Sequence, residues 1–567
     1  MKIRYQLCIF MMCCCLILTN ASSQVLETKS LSTERGYEPI EIKMEKSYFK
    51  LLHQQGTPTS QLFLYAYYSG TGWVPVPFQI DEKNAFDPPN NVLDSTDVLI
   101  FLAKDLGDKV TNGNWIENES AQSNKRYEIE IVDLRDRSKK GWCYLFISST
   151  LTEQDKSDVK YLSVDIEGDK VIGNYYQLDY SRKWYPENIS ITTEGGGANQ
   201  DFYDRTKIRF IMLVGGLWAT LLEDDLFTHP DSIINYTPNS VVRLQRKIPL
   251  ELYLFNQPSG RKVNFSMVYY PYSALFSGEI GLDQFIGIAR VKTIRMSYDL
   301  NSTATGMKFI SGDSNGVKNQ NKLINGDGFL DNVDTSLVEG DKNWTMVTGT
   351  PGTMLTLNNV RYESNPPTVP TEPYDQYLYY WDDLSGGTLP NRNIDPTYDW
   401  DTGDSSSFGD HGMAFESYAL TDSFHYNSTT YYLKGDVSPN TAQTIFQNFN
   451  APMLRYIREQ DYLVNIERTN TDQLPTKFRL RPNFPNPFNP TTNIIFDLPK
   501  NDFVALEIFD VRGTHIITLV NENLPAGIHN YLWDGRDKNS NMVSSGVYIC
   551  TIKTKAYHAS QKLVFVK

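Results

Sequence analysis

Short runs rich in Tyr, Phe, Val and Ile recur along this chain between clusters of Gly, Pro, Asn and Asp, and the 3.6-residue period of an amphipathic helix is nearly absent. That patterning constrains the fold more than any other feature. Gln61–Tyr68, Arg126–Val132, Lys262–Tyr270 and Tyr431–Leu433 read as strands, at the spacing of β-sandwiches. One short helix is expected, with Ser438 as N-cap and Pro439 in the first turn leading into Asn440–Phe449. At about 150 residues per domain, a chain of 567 residues holds three or four domains. The expected class is all-β, a multidomain series of β-sandwiches, and no short internal repeat announces a solenoid or propeller.

The N-terminus carries an address. Lys2 and Arg4 precede an apolar and cysteine-rich run, Leu7–Leu18, and the small polar residues Thr19–Ser23 follow. Residues 1–23 are therefore expected to be a secretory signal peptide. The run is shorter than the roughly 20 residues needed to span a bilayer, and Met11 and Met12 before Cys13 lack the small residues of a lipoprotein signal. Four of the six cysteines lie in this segment, leaving Cys143 and Cys550 in different predicted domains. An exported chain without a disulfide framework must rest on large cores. The net charge of -14 becomes more negative when residues 1–23, with their two cations, are removed. That sign argues against nucleic acid as a partner. The other long apolar run, Phe210–Leu222, is interrupted by Gly215 and Gly216 and reads as buried core, so no membrane span is expected.

Four boundaries follow: an N-terminal β domain at 24–165, a central β-sandwich region at 166–467, a linker at 468–481 containing the polar stretch Arg468–Pro475, and a C-terminal module at 482–567. The module opens with Pro485, Asn486, Pro487 and Phe488 inside the stretch PNPFNPTT. Prolines cannot continue a ladder, so this lead-in is extended before the sheet begins. Alternating strands and turns follow, with Trp533, Asp534 and Gly535 in WDGRD, Gly546 and Tyr548 in SGVY, and a terminal Lys567. In these motifs and their order, the module resembles the type IX secretion C-terminal sorting domain in its FlgD-like, Ig-like form. Ser540 stands where that family usually has Gly, and Cys550 where an aromatic is usual. The resemblance implies an Ig-like sandwich recognised by the type IX secretion machinery, and a protein secreted or held on the outer cell surface.

The passenger upstream carries weaker signals. Trp73–Glu82, Asp87, Asp94, Asp97, Asp105 and Asp108, with the later Tyr380–Asp383, resemble segments of uncharacterised exported bacterial proteins, which imply no activity. Asp side chains near turns either cap those turns or bind Ca²⁺, and capping is the expected role. The sharpest calcium candidate is Asn325, Asp327, Asp331 and Asp334, an oxygen-rich loop with two glycines, whose alternative is a metal-free Asn-Gly turn. It is not an EF-hand, because Phe329, Leu330 and Ser336 occupy positions five, six and twelve.

Gly312–Gly316 fits Gly-x-Ser-x-Gly and looks like the SGNH esterase motif, with Asp422 and His425 at the spacing of its partners, but Val317–Lys322 reads as the exit of a hairpin and not as the helix that a nucleophile elbow needs. No His-Glu-x-x-His or Walker loop occurs. Glycan chemistry needs no contiguous motif, and 35 Tyr and 9 Trp supply rings for sugar stacking, although sandwich cores use the same residues. His411 and His425 lie near acidic, Tyr-rich sequence, and an exposed turn is the expected place for His411. The expected function is a polysaccharide-binding β protein. A polysaccharide lyase or glycosidase, or a structural surface component, remains an alternative.

Overall fold

The computed structural model describes residues 25–566 apart from 83–89, 222–234, 282–288, 326–341, 364–374, 382–408, 462–476 and a few shorter stretches. Strands dominate, and the chain divides into two compact units, Met1–Leu463 and Val464–Lys567. The architecture is all-β.

In the first unit, a three-stranded sheet ordered Pro39–Lys43, Val98–Leu102, Phe78–Asp81 packs on a five-stranded sheet. Ile40, Leu99 and Phe101 meet Leu64, Ile129 and Leu145 between them. The other face of the five-stranded sheet is also covered, with Phe63, Trp142, Tyr144 and Phe146 in a second cluster. Burial on both faces explains why Arg126–Val132 and Lys140–Ile147 are buried almost throughout instead of alternating.

The expected division at 165/166 is corrected. Asp165 ends the strand Leu162–Asp165, which forms a ladder with Lys170–Gly173, so a cut at 165/166 would fall inside a hairpin. The edge of the N-terminal five-stranded sheet is Leu454–Gln460, running antiparallel to Arg126–Val132 with Ile457 opposite Ile129. Backbone pairing is indifferent to sequence separation, and the passenger's last strand thus completes its first sheet. Gln79 adds a tie, its Oε1 accepting from the backbone N–H groups of Val241, Val242 and Arg243 at 2.9, 3.2 and 3.1 Å.

The centre is a larger sandwich. Its five-stranded sheet runs in the order Leu217–Leu221, Tyr203–Val214, Ala289–Leu300, Gly409–Leu420, Asp375–Trp381. A nine-stranded sheet contains the neighbouring strands Gln257–Tyr270, Ser273–Gly281, Ser423–Leu433 and Gly352–Glu363. Phe210, Met212, Ile294 and Met413 from the first share one core with Phe265, Tyr269 and Met354 from the second. Each such side chain contributes about 1.5–3 kcal/mol when fully buried. The run Phe210–Leu222 enters this core only in part: Phe210, Ile211 and Met212 are buried, but Leu217 is 76% exposed. The run turns at Gly216, φ 88°, into an edge strand whose first side chain meets solvent.

The helix Pro439–Phe449 covers the outer side of the nine-stranded sheet. Ser438 Oγ accepts from the Thr441 N–H at 3.1 Å, and Ala442, Ile445 and Phe446, at i, i+3 and i+4, bury against Trp344, Leu355 and Tyr431.

The second unit is a small sandwich. Arg479–Leu480, Thr492–Leu498 and Gly527–Trp533 form one sheet; His515–Leu524, Asp502–Asp510, Gly546–Lys553 and His558–Phe565 form the other. Burial alternates along Thr492–Leu498, and Ile494, Phe496 and Leu498 meet Leu506, Ile508 and Ile552 in the core. Cys143 and Cys550 are free, buried thiols. Among the described residues, no helix is long and apolar enough to cross a membrane.

Candidate functional site

The passenger's candidate site is a tyrosine-lined cleft between the two central sheets, with a cavity of about 50 Å³. Inward-facing positions of facing strands supply it: Tyr203 and Tyr298 from one sheet, Tyr269 and Tyr426 from the other. Tyr180 and Trp184 enter from beside the small meander Tyr176–Asp179 and Asn188–Ile191. Six tyrosines line the cleft in all, with Tyr432 the sixth.

Their hydroxyls are organised. Tyr269 Oη donates to Tyr180 Oη at 2.7 Å. Tyr298 Oη lies 3.5 Å from Tyr426 Oη and 3.4 Å from Ser428 Oγ, while Tyr426 donates to Asn358 Oδ1 at 3.1 Å. Behind Tyr180, the Arg246 guanidinium stacks 4.0 Å from the ring centroid and pairs with Asp169 at 2.6 Å. Burial pushes the hydroxyl pKa of Tyr180, Tyr203, Tyr269 and Tyr432 well above the ordinary range, so these groups work as neutral donors and acceptors. Aromatic faces and neutral hydroxyls suit binding of a polyhydroxylated ligand.

His411 borders this region, but not in an exposed turn as expected. It lies within the strand Gly409–Leu420, fully buried between Tyr298 and Phe309, at ring-centroid distances of 5.6 and 5.5 Å. Neither ring nitrogen has a hydrogen-bond partner among the described residues. Burial pulls its pKa down to about 3, so the imidazole is neutral and unsuited to exchange protons near neutral pH.

This makes a pH prediction. Between the unfolded value near 6.5 and the folded value of about 3, the unfolded chain binds the extra proton, so stability falls as pH falls through that window. His411→Leu removes this penalty. It is expected to recover roughly a few degrees of melting temperature at pH 4.5 relative to pH 7; an unchanged difference between the two pH values would count against the assignment.

The remaining sequence candidates do not converge on this cleft. The backbone of His425 lies in strand Ser423–Leu433, opposite Glu279 and Arg361, and its side chain is outside the described residues. Gly312–Gly316 is a hairpin turn between Lys308–Asp313 and Gly316–Leu323, with no helix after it. Asn325 is exposed, while Asp327, Asp331 and Asp334 lie outside the described residues. Among the described residues, no group of three His, Cys, Asp or Glu side chains could hold a metal ion. Asp94 and Asp97 cap their own turn: Asp97 Oδ2 accepts from the Asp94 N–H, and Asp94 Oδ1 from the Thr96 N–H, both at 2.7 Å. Asp105 stands apart. Burial pushes its carboxyl up to about 6, against the pull of Lys104 and of the Tyr161 hydroxyl that donates to it at 2.9 Å.

The C-terminal motifs do assemble. Asn486 accepts from the Val564 N–H at 2.8 Å and donates to the Lys562 carbonyl at 2.9 Å. The Phe488 N–H donates to the Val564 carbonyl at 2.9 Å, and the Val566 N–H to the Phe488 carbonyl at 3.0 Å. The lead-in is thereby strapped along the last strand, and the Phe488 ring meets Trp533 and Phe565 at 5.3 and 5.1 Å. Trp533 is fully buried, packs on Tyr548 at 5.1 Å, and its Nε1 donates to the Arg536 carbonyl at 3.0 Å. Tyr548 Oη donates to the Ser544 carbonyl at 2.7 Å, just before Gly546 starts its strand. Asp534 caps the turn by accepting from the Arg536 N–H at 3.2 Å. Gly535, at φ 72°, lies where a Cβ would come within 3.2 Å of the Phe565 ring. Pro485 and Lys567 are outside the described residues.

Residues 483–567 match the family of secretion system C-terminal sorting domains. No curated protein sequence matches the chain. Among solved structures, an α-mannosidase from Enterococcus faecalis aligns over 89% of this chain and 55% of its own, at 9% identity and TM-score 0.32. A polysaccharide lyase aligns over 70% of this chain and 47% of its own, at 6% identity and TM-score 0.22. PorZ, a surface component of the type IX secretion system of Porphyromonas gingivalis, aligns over 83% of this chain and 49% of its own, at 10% identity and TM-score 0.13. The chain thus spans about half the length of these structures, and the scores are too low to define a shared fold.

Proposed function

We propose that the passenger of this protein, which its type IX sorting domain sends to the cell surface, binds an extracellular polysaccharide at the tyrosine-lined cleft. In this reading residues 1–23 direct passage across the inner membrane and are removed. The observation that carries the proposal is the cleft itself: six tyrosines at one gap between two sheets, with Tyr269 hydrogen-bonded to Tyr180 and Tyr426 to Asn358. Sugars are held by such ring faces and hydroxyls. The neutral His411 beside the cleft favours binding over acid–base turnover.

The enzymatic alternative draws on Asp105, whose carboxyl near 6 and contact with Tyr161 suit a proton donor. One experiment separates the readings. The secreted protein is passed over immobilised polysaccharides while soluble chains are assayed for new reducing ends and unsaturated products. Retention without turnover is the expected result. Turnover lost in Asp105→Asn would make the passenger an enzyme, and neither retention nor turnover would leave a structural surface component.

Calcium at Asn325, Asp327, Asp331 and Asp334 is proposed on the spacing of their oxygens alone. A chelator should then lower the melting temperature and added Ca²⁺ restore it. No shift, with no metal in the purified protein, would remove the assignment.

A further inference from the structure

We infer that the tyrosine-lined cleft accepts an acetyl group carried by an N- or O-acetylated saccharide, an inference that rests on the polysaccharide reading above and narrows it. Size is the first argument. A cavity of about 50 Å³ has room for roughly four water-sized groups, at about 10–15 Å³ for each, and so suits a substituent of a few heavy atoms better than a whole hexose ring.

Lining chemistry is the second argument. Met267, Met296 and Met354, with Ile189 and Ala274, border the cavity with apolar surface. A hydroxymethyl group placed against them would lose its hydrogen bonds to water, at a cost of about 1–3 kcal/mol, whereas a methyl group would gain contacts.

The third argument is an under-used hydroxyl. Tyr298 Oη reaches Tyr426 and Ser428 only at 3.5 and 3.4 Å, beyond the usual O–H···O range of about 2.5–3.0 Å. A carbonyl oxygen entering the cleft would give this hydroxyl an acceptor at full strength. Acetyl combines that carbonyl with a methyl group on adjacent atoms. The attached sugar ring would rest at the rim, where Leu275, Phe276 and Tyr298 are only partly buried.

The test uses the full-length secreted protein and paired polymers: chitin oligosaccharides against their deacetylated glucosamine forms, and O-acetylated xylan against the same xylan after alkaline deacetylation. Loss of affinity on deacetylation, by about tenfold or more, is expected in at least one pair, and the responding pair tells amide from ester. Tyr298→Phe should weaken that binding about fivefold, the equivalent of one neutral hydrogen bond. Ala274→Leu, which fills the cavity, should abolish it while the melting temperature and circular dichroism stay those of the parent. Equal binding of acetylated and deacetylated partners would overturn the acetyl inference and leave the polysaccharide reading standing. Binding to none of the four polymers, nor to any other in the wider panel, would overturn both. Acetyl-dependent binding unchanged in both variants would overturn the cleft as its site.

Discussion

Removal of residues 483–567 is expected to hold the protein in the periplasm, with its outer-surface and culture-medium fractions falling below detection. The sorting domain is the exported protein's address for the outer membrane. A point substitution should reproduce much of this loss. Trp533 is fully buried at the centre of a small core and touches Phe488 and Tyr548. Its replacement by Ala costs about 3–5 kcal/mol, comparable with the total stability of about 5–15 kcal/mol for a domain. Fractionation of cells carrying the deletion or Trp533→Ala decides the matter. Full-length amounts of the deletion variant outside the cell would refute the sorting assignment, and normal export of Trp533→Ala would refute dependence on the folded core.

Arg35→Ala is expected to destabilise the passenger by about 3–5 kcal/mol. The Arg35 guanidinium is fully buried and all five of its N–H groups are used. Nε and Nη2 hold the Asp133 carboxylate at 3.1 and 2.7 Å, and Nη1 holds Glu38 at 2.7 Å. The remaining two donate to the carbonyls of Asn448 and Ala451, at 3.0 and 2.8 Å, where the helix Pro439–Phe449 ends. One side chain thereby ties residues separated by more than 400 positions. Truncation removes the guanidinium from two carboxylates and two carbonyls, although Asp133 keeps the Arg135 N–H at 2.8 Å and the Asn448 carbonyl keeps the Ala451 N–H at 2.9 Å. Arg35→Lys should recover little, because an ammonium has three donors and cannot match the planar fork. Denaturant unfolding of the full-length protein checks both variants, and a loss below about 1 kcal/mol for Arg35→Ala would show that water replaces the guanidinium.

Much of the fold was legible in the residues. Gln61–Tyr68 and Lys262–Tyr270 are seen as strands Leu62–Tyr68 and Gln257–Tyr270, and the Ser438–Pro439 signal does open the helix. Such features are local, set by side-chain shape, proline geometry and capping within a few positions. The C-terminal motifs were legible for the same reason, since a turn at Asp534–Gly535 and an extended lead-in depend on neighbours in sequence.

The cleft was less so. An abundance of tyrosine suggested sugar-stacking rings, but nothing in the order of residues says that Tyr180, Tyr298 and Tyr426 share one gap. His411 shows the same limit: its flanks, Asp410 and Gly412, suggest a turn, yet the partner strand Ala289–Leu300 holds it in a ladder with Tyr298 directly opposite. Sheet pairing overrode local propensity.

What the sequence determined by itself was the all-β class, the sorting module and the route of export, because each rests on periodicity or on contiguous motifs. Tertiary structure alone decided that Leu454–Gln460 completes the first sheet, that Arg35 joins the two ends of the passenger, and that His411 is buried and neutral. Strand pairing and burial depend on contacts between residues hundreds of positions apart, and no local pattern encodes which distant partner a strand or a charge will meet.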